Sequence, residues 1–559
     1  MRTIRLLTGY VCLASLVAAG DLPPRLVGDT DPYFPKRSYF RRHFGPAPTE
    51  VELQPPVRLG DYVADGKLQL SLRGYLDLVM ANNNDISIQK LSVEVNRNAI
   101  MRAFSVFDPL VGAQFSTTRQ QTPATSALTG AATLNELTQP LNLSYSQEMP
   151  TGTVYNVDFS SRKLSTNSSF ATLDPSFGES LTVSLSQPLL RGRGSYITKL
   201  PIIIARSRLR AADWNLQDTV TQLVENAEQS YWSAVGARES LRVAEESLKL
   251  SDTALQRARK ELSLGAASPL DIFQPEQNYA NSQVLVTQAR ANLAQSENVL
   301  RRQMGADLDA RYQYTPIVLT ESLTPPLIET LDRDELLRRA MATRQDVKSL
   351  TETVESDDLS IRQANDAMRP SLSFTAQYGG FGSGGTFYDK QNIFQSDGTS
   401  STIVNVIPGG VGDALGQLFG FGYPTYGFGL TLQLPIRDRR ASANLADAVV
   451  NKKLDALRER VAKENARLQV LQAITQVENI KAVVELARTA RDLAQKRVDA
   501  EQKKYDLGTS TIFFVLAAQG DLTSAESALV NATINFHLNL LSLDRATGEL
   551  LDKRGIRVR

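Results

Sequence analysis

The sequence predicts a mostly α-helical chain with a membrane-type β component, built as two similar αβ halves. Three observations carry this. A long helical hairpin occurs twice, about 243 residues apart, turning at Leu264-Gly265-Ala266-Ala267-Ser268-Pro269 and again at Leu507-Gly508-Thr509-Ser510-Thr511-Ile512. After each turn a large apolar residue returns every seventh position: Ile272, Tyr279, Val286, Leu293 and Leu300, then Val515, Leu522, Leu529, Phe536 and Leu543. Short segments with strict apolar/polar alternation precede each hairpin, which is the period of a strand with one greasy and one wet face.

The heptads define supercoiled helices, since a repeat of 3.5 residues keeps one seam facing a partner. Three positions after each large residue stands a mostly small or polar one. These are Pro275, Ser282, Ala289, Ser296 and Gln303 against Ala518, Ala525, Ala532, Asn539 and Ala546. Small residues on a seam let the neighbouring backbone come close. Gly265 suits the left-handed position that ends a helix, and Ser268 with Pro269 suits the start of the next.

The chain divides as follows. Residues 1–20 read as a secretion signal: Arg2 and Arg5, an apolar stretch from Leu6 to Val17, then Ala18-Ala19-Gly20. The only cysteine, Cys12, lies inside it, so a mature chain has no disulfide or thiol chemistry. Val11 before that cysteine does not suit lipidation. Residues 21–64, rich in proline, aromatic and basic residues, read as an extended arm. The first structural repeat covers 65–310, a proline-rich connector 311–330, the second repeat 331–550, and a tail 551–559.

In the first repeat a helical region from Leu70 to Ala103, broken near Asn82-Asn83-Asn84, leads to four alternating strands. They centre on Val111–Phe115, Leu141–Tyr145, Tyr155–Phe159 and Leu181–Leu185. Met149-Pro150-Thr151-Gly152 is a tight turn, while Gln120–Leu137 and Ser165–Gly178 read as long loops. Short turns at one end and long loops at the other mark outer-membrane barrels. Pro188 stops the last strand, and a helix follows from Pro201 to Leu264. The second repeat predicts helices at Asp334–Thr343 and from Asp346, then two strands, Leu372–Tyr378 and Tyr426–Leu434, and a second long helix to Leu507. Gly380–Gly385, although it spells a glycine-rich nucleotide pattern, lacks the helix that would have to follow it and is expected to be an extracellular loop.

Two or four strands per half cannot close a barrel alone, and an open edge in lipid leaves backbone groups unbonded. Several copies must pool their strands. The long helices carry charge throughout (Arg257, Arg259, Lys260, Glu261) and belong in water. Formal net charge is +1 from 61 basic and 60 acidic residues, so no global field draws the chain to nucleic acid. His43 and His537 are the only histidines, with no ligand partner at metal spacing. No catalytic, cofactor or metal motif is present.

On these residues the chain resembles the TolC-type outer-membrane efflux proteins over about 65–550. The resemblance is carried by Gln187-Pro188-Leu189-Leu190-Arg191-Gly192, the two Leu-Gly turns, Asp271-Ile272 with Gln274, and Gly548-Glu549-Leu550. It implies a homotrimer with one β-barrel in outer-membrane lipid and one periplasmic helical tunnel. That tunnel would dock to a periplasmic adaptor and an inner-membrane pump, for passive efflux or type I secretion, without a cofactor. It implies that Leu264, Gly265, Leu507 and Gly508 are adaptor-contacting tips and that Asp271 and Tyr505 stand at the tunnel entrance. The same tip residues also suit any αα-hairpin turn. The family commonly has two strands per half, so four in the first half leave a barrel of 12 or of 18 strands open. Ser510 replaces an Arg that latches the entrance in some members, and Phe514 replaces an Asp. The alternative reading is a periplasmic coiled-coil adaptor or scaffold.

Overall fold

A computed structural model describes residues 58–123, 132–265, 268–324, 331–391 and 402–558. The expected signal, the arm up to residue 57, Ala266 and Ala267 lie outside them. The described residues form two compact units, one within 96–208 and 354–454, the other within 58–95, 209–353 and 455–558.

The first unit is built on an antiparallel sheet. Its strands are β3 (Leu110–Phe115), β4 (Thr118–Pro123), β5 (Thr133–Glu148), β6 (Val154–Thr166), β7 (Leu173–Pro188), β9 (Ser371–Gln391), β10 (Thr402–Ile407) and β11 (Tyr423–Gln433). β3 and β4 pair in succession with β5, and β10 and β11 with β9, so eight strands occupy six side-by-side positions. Following the register across them gives rows of uniform character. Val111, Tyr145, Val157, Val183, Tyr378 and Tyr426 form one row, and Ala113, Leu143, Phe159, Leu181, Gly380 and Pro424 another. The intervening row is Gly112, Ser144, Asp158, Thr182, Gly379 and Thr425. Outside Gly380–Gly384 this apolar face is left bare: Phe428 is 76% and Tyr426 73% exposed.

The strands run further than their alternation. Gly380–Gly385, expected as a loop, is the middle of β9, and β10 adds a strand segment to the two expected in the second half. Pairing is made by the backbone, so glycine and hydroxyl residues extend a ladder without an apolar pattern. The segments read as long loops shrink likewise, leaving only 167–172 between β6 and β7. The glycines also serve a helix, α8 (Val411–Phe419), whose Ala414 and Leu418 are buried against β9. A Cβ on Gly382 would meet the Ala414 carbonyl oxygen at 1.9 Å, and one on Gly384 the Gly410 oxygen at 2.3 Å.

The strand-to-helix junction is fixed in the same unit. The Leu189 N–H donates to the Leu372 carbonyl at 2.7 Å, and the Gly192 N–H to the buried Asp366 carboxylate at 2.7 Å. Gly152, at φ 84°, tucks beside it: a Cβ there would lie 2.8 Å from the Gly192 oxygen and 3.2 Å from Pro188 Cγ.

The long helices are α4 (Leu200–Ser263), α5 (Phe273–Gln303), α9 (Arg439–Asp506) and α10 (Ile512–Ala546). At 1.5 Å per residue, α4 is about 96 Å long. None of the heptad seam residues named above is exposed. In the second unit α9 answers with its own heptad. Val470 and Val477 pack with Leu543 and Ala546, Val484 with Ala532 and Phe536, and Val498 with Ala518 and Leu522. A buried Ser251–Ser282 hydrogen bond of 2.9 Å crosses the first hairpin. Among the described residues no helix is long and apolar enough to cross a membrane.

Three stretches read as linkers carry structure. Leu59, in the arm interval, is buried, and β1 (Val63–Ala64) pairs with β2 (Lys67–Leu70). In the connector β8 (Ile317–Leu319) adds in parallel to β2. In the tail, α11 (Leu550–Arg554) buries Leu551, and Arg554 makes two hydrogen bonds of 2.8 and 2.7 Å to the buried Glu228. These pieces cover α1 (Leu72–Asn82), whose Tyr75, Leu76, Leu78 and Val79 join Val220, Val224 and Tyr231 of α4 in the largest apolar cluster. Isolated segments of two to five residues give too short a pattern to be read from sequence. The remaining helices are α2 (Asn84–Phe104), α3 (Ser195–Thr198), α6 (Arg333–Thr343) and α7 (Gln345–Ala367).

Replacing Gly382 by valine forces α8 off the sheet, at a cost of about 1–3 kcal/mol as for other overpacked sites. Faster proteolysis near residue 411 and a lower melting temperature are the expected readouts. In the second unit His537 stacks on Trp232 at 3.9 Å, and burial lowers its pKa from 6.5 to about 4. The folded histidine therefore stays neutral where the unfolded one takes a proton, so stability is full above pH 6.5 and declines towards pH 4. His537→Phe should flatten that part of the stability–pH curve, measured by denaturant melts.

Candidate functional site

Each hairpin ends where a glycine takes positive φ: Gly265 at 70° and Gly508 at 73°. Leu264 and Leu507, one residue earlier, stand 73% and 80% exposed, as do Leu270, Phe273, Phe513 and Phe514 to lesser or similar degree. The two tips, so distant in sequence, are neighbours in space within one unit. The Arg257 guanidinium donates from Nη1 to Asp506 Oδ1 at 2.6 Å and from Nε to Glu261 Oε1 at 3.0 Å. It also lies 4.5 Å over the Tyr505 ring, a cation–π distance. The Tyr505 hydroxyl donates to the other Glu261 oxygen at 2.5 Å. One arginine and one tyrosine thus tie α4 to the end of α9.

The electrostatics follow from these contacts. Burial, then the hydrogen bond to Glu261, push the Tyr505 phenol up to about 12. The Arg257 and Gln502 side chains bonded to Asp506 hold its carboxyl below the usual carboxylate range. Glu501 is lowered likewise, first by Lys504, while Ser510 donates to it at 3.2 Å.

Of the residues singled out from sequence, Leu264, Gly265, Leu507 and Gly508 are at the tips and Tyr505 is in the tie. Asp271 is not bonded into it: its carboxylate accepts the Ser268 N–H at 3.0 Å and closes its own turn. Arg257, Glu261 and Asp506 were not singled out as site residues. The i,i+4 spacing of Arg257 and Glu261 is an ordinary surface pairing, and only the juxtaposition of the hairpins gives it a further partner. Among the described residues no group of acidic, histidine or cysteine side chains could hold a metal ion.

A duplicated chain with paired coiled-coil hairpins and a sheet that has one bare apolar face defines a class of envelope channel. The family described as outer membrane efflux protein matches residues 156–306 and 336–549, and the chain belongs to it. It is 21% identical over 505 residues to the outer membrane efflux protein BepC of Brucella suis biovar 1, covering 90% of this chain and 91% of that one. It is 20% identical over 482 residues to the probable efflux pump outer membrane protein TtgC of Pseudomonas putida, covering 86% and 83%. The Campylobacter jejuni CmeC outer membrane channel superposes with a TM-score of 0.59 at 17% identity over 95% of each chain. Members are trimeric outer-membrane channels that extend into the periplasm and work with an adaptor and an inner-membrane pump.

Spin labels at Leu264→Cys and Leu507→Cys measure the tie directly. Arg257→Ala should lengthen and broaden the distance between them. Because the Asp506 pKa is depressed, its contact holds through mildly acidic pH. It is lost only below the ordinary aspartate range, about pH 4, and an Asp506→Asn variant should show no such transition.

Proposed function

We propose that this protein is the passive exit duct of a tripartite efflux system, with the paired hairpin tips as both its docking end and its latch. The observation that carries this is the tip geometry: exposed leucines at the two glycine turns, with the Arg257–Asp506 and Tyr505–Glu261 contacts immediately behind them. Exposed apolar side chains on an otherwise charged coil favour a protein partner, and Leu264, Gly265, Leu507 and Gly508 meet the adaptor. Asp271 flanks the entrance and Tyr505 belongs to its tie. The duct performs no covalent chemistry, and energy comes from the pump.

The sheet supports the same reading. Its wet face presents Ser144, Asp158, Thr182 and Thr425 in one row and Ser146, Asn156, Ser184 and Gln377 in the next, a wall suited to water and solutes. Its other face suits hydrocarbon.

Leu264→Glu combined with Leu507→Glu should abolish crosslinking to the adaptor and sensitise cells to the pump's substrates, while the trimer still reaches the outer membrane. Normal crosslinking and normal export in that variant would overturn the docking role. Arg257→Ala should instead leave docking intact and raise single-channel conductance in planar bilayers.

A further inference from the structure

We infer that all six strand positions of each copy enter the membrane wall, so that the trimer closes a barrel of eighteen strands rather than twelve. The inference rests on the duct reading and concerns the β5–β6 hairpin, which four strands per copy would leave outside the wall.

Three observations place that hairpin within it. First, its turn lies at the level where the other strands begin. Thr153 donates its hydroxyl to Gln187, Gly152 packs under the Gly192 carbonyl, and Gln147 Nε2 donates to the Phe107 carbonyl just before β3, at 3.1 Å. A hairpin projecting beyond the barrel would turn far from the strand-to-helix junction. Second, β5 and β6 are not appended at an edge. They lie between β3 and β7, paired on both sides over long stretches of register. Removing them from the wall would break two ladders and leave β3 without a neighbour. Third, their outward residues match those of β7. Leu143 with Phe159 and Tyr145 with Val157 stand in the same rows as Leu181 and Val183, and Tyr155 stands beside Leu185.

The rows also identify what covers the two edges. Among the described residues β3 pairs only with β5 and β11 only with β9, so each presents an unpaired row of backbone groups. Hydrocarbon offers no partner for these, and a further strand of a second copy does. The apolar rows end in Val111 and Ala113 at one edge and in Tyr426 and Pro424 at the other. Joining β11 of one copy to β3 of the next therefore continues a greasy outer face. The contact is head-to-tail and closes after three copies. Barrel diameter grows in proportion to strand number at fixed tilt, so the membrane section is about 1.5-fold wider than a twelve-stranded one.

The test uses single-cysteine variants of the full-length chain, Leu143→Cys on β5, Phe159→Cys on β6 and Val183→Cys on β7. Each carries an environment-sensitive fluorophore and is reconstituted as a trimer in phosphatidylcholine vesicles. With eighteen strands, brominated lipid quenches all three labels to a similar extent and aqueous iodide quenches none strongly. If the residue 183 label is quenched by lipid while those at 143 and 159 are quenched by iodide, the β5–β6 hairpin lies outside the wall and the inference fails with the duct intact. If the residue 183 label is also quenched only from water, or no heat-modifiable trimer forms, the duct reading itself fails and takes the inference with it.

Discussion

A peptide group facing hydrocarbon must find its hydrogen bond within the protein, because lipid supplies none. That constraint organises this chain. The sheet satisfies it internally at five boundaries between its six positions, and its two outer edges satisfy it only by meeting other copies. Everything else in the first unit serves those ladders. Glycines let α8 lie on β9, and Asp366 fixes the turn into α4 by binding the Gly192 N–H. The bare apolar face, which would be an aggregation hazard in water, is the surface the bilayer requires.

The helices obey a different rule. They are too charged for lipid, and their cohesion comes from narrow seams in which large and small residues alternate at heptad spacing. The buried Ser251–Ser282 pair and Gly236, where a Cβ would fall 2.1 Å from the Ile534 side chain, show how close the backbones come. Charged pairs on these surfaces are mostly exposed and add little to stability individually. The Arg257 cluster, like the Arg545–Glu225 pair, joins the two hairpins rather than neighbouring turns of one.

Much of this was legible in the residues. Heptads and glycine turns located the hairpins closely, because both are local signals repeated twice. The strands were legible only where side chains alternate. Gly380–Gly385 failed that test, yet its backbone pairs as well as any other segment. The tie between the tips was illegible for another reason. Arg257 and Asp506 are 249 positions apart, and Asp271, which carried the family likeness, spends its carboxylate on a local turn. Nothing in one-dimensional spacing distinguishes a bridging carboxylate from a solvated one.

The row of serine, threonine, asparagine and glutamine side chains on the wet face has a consequence for traffic. β6 contributes Asp158 and Arg162 there and β5 contributes Glu136 and Glu148, so the charges are separated by rows of uncharged polar groups such as Ser146, Asn156, Ser184 and Gln377. Neutral hydroxyls and amides neither trap nor repel an ion or a polar solute for long. Rows of that kind select weakly among polar solutes, so on the duct reading the choice of cargo falls to the pump.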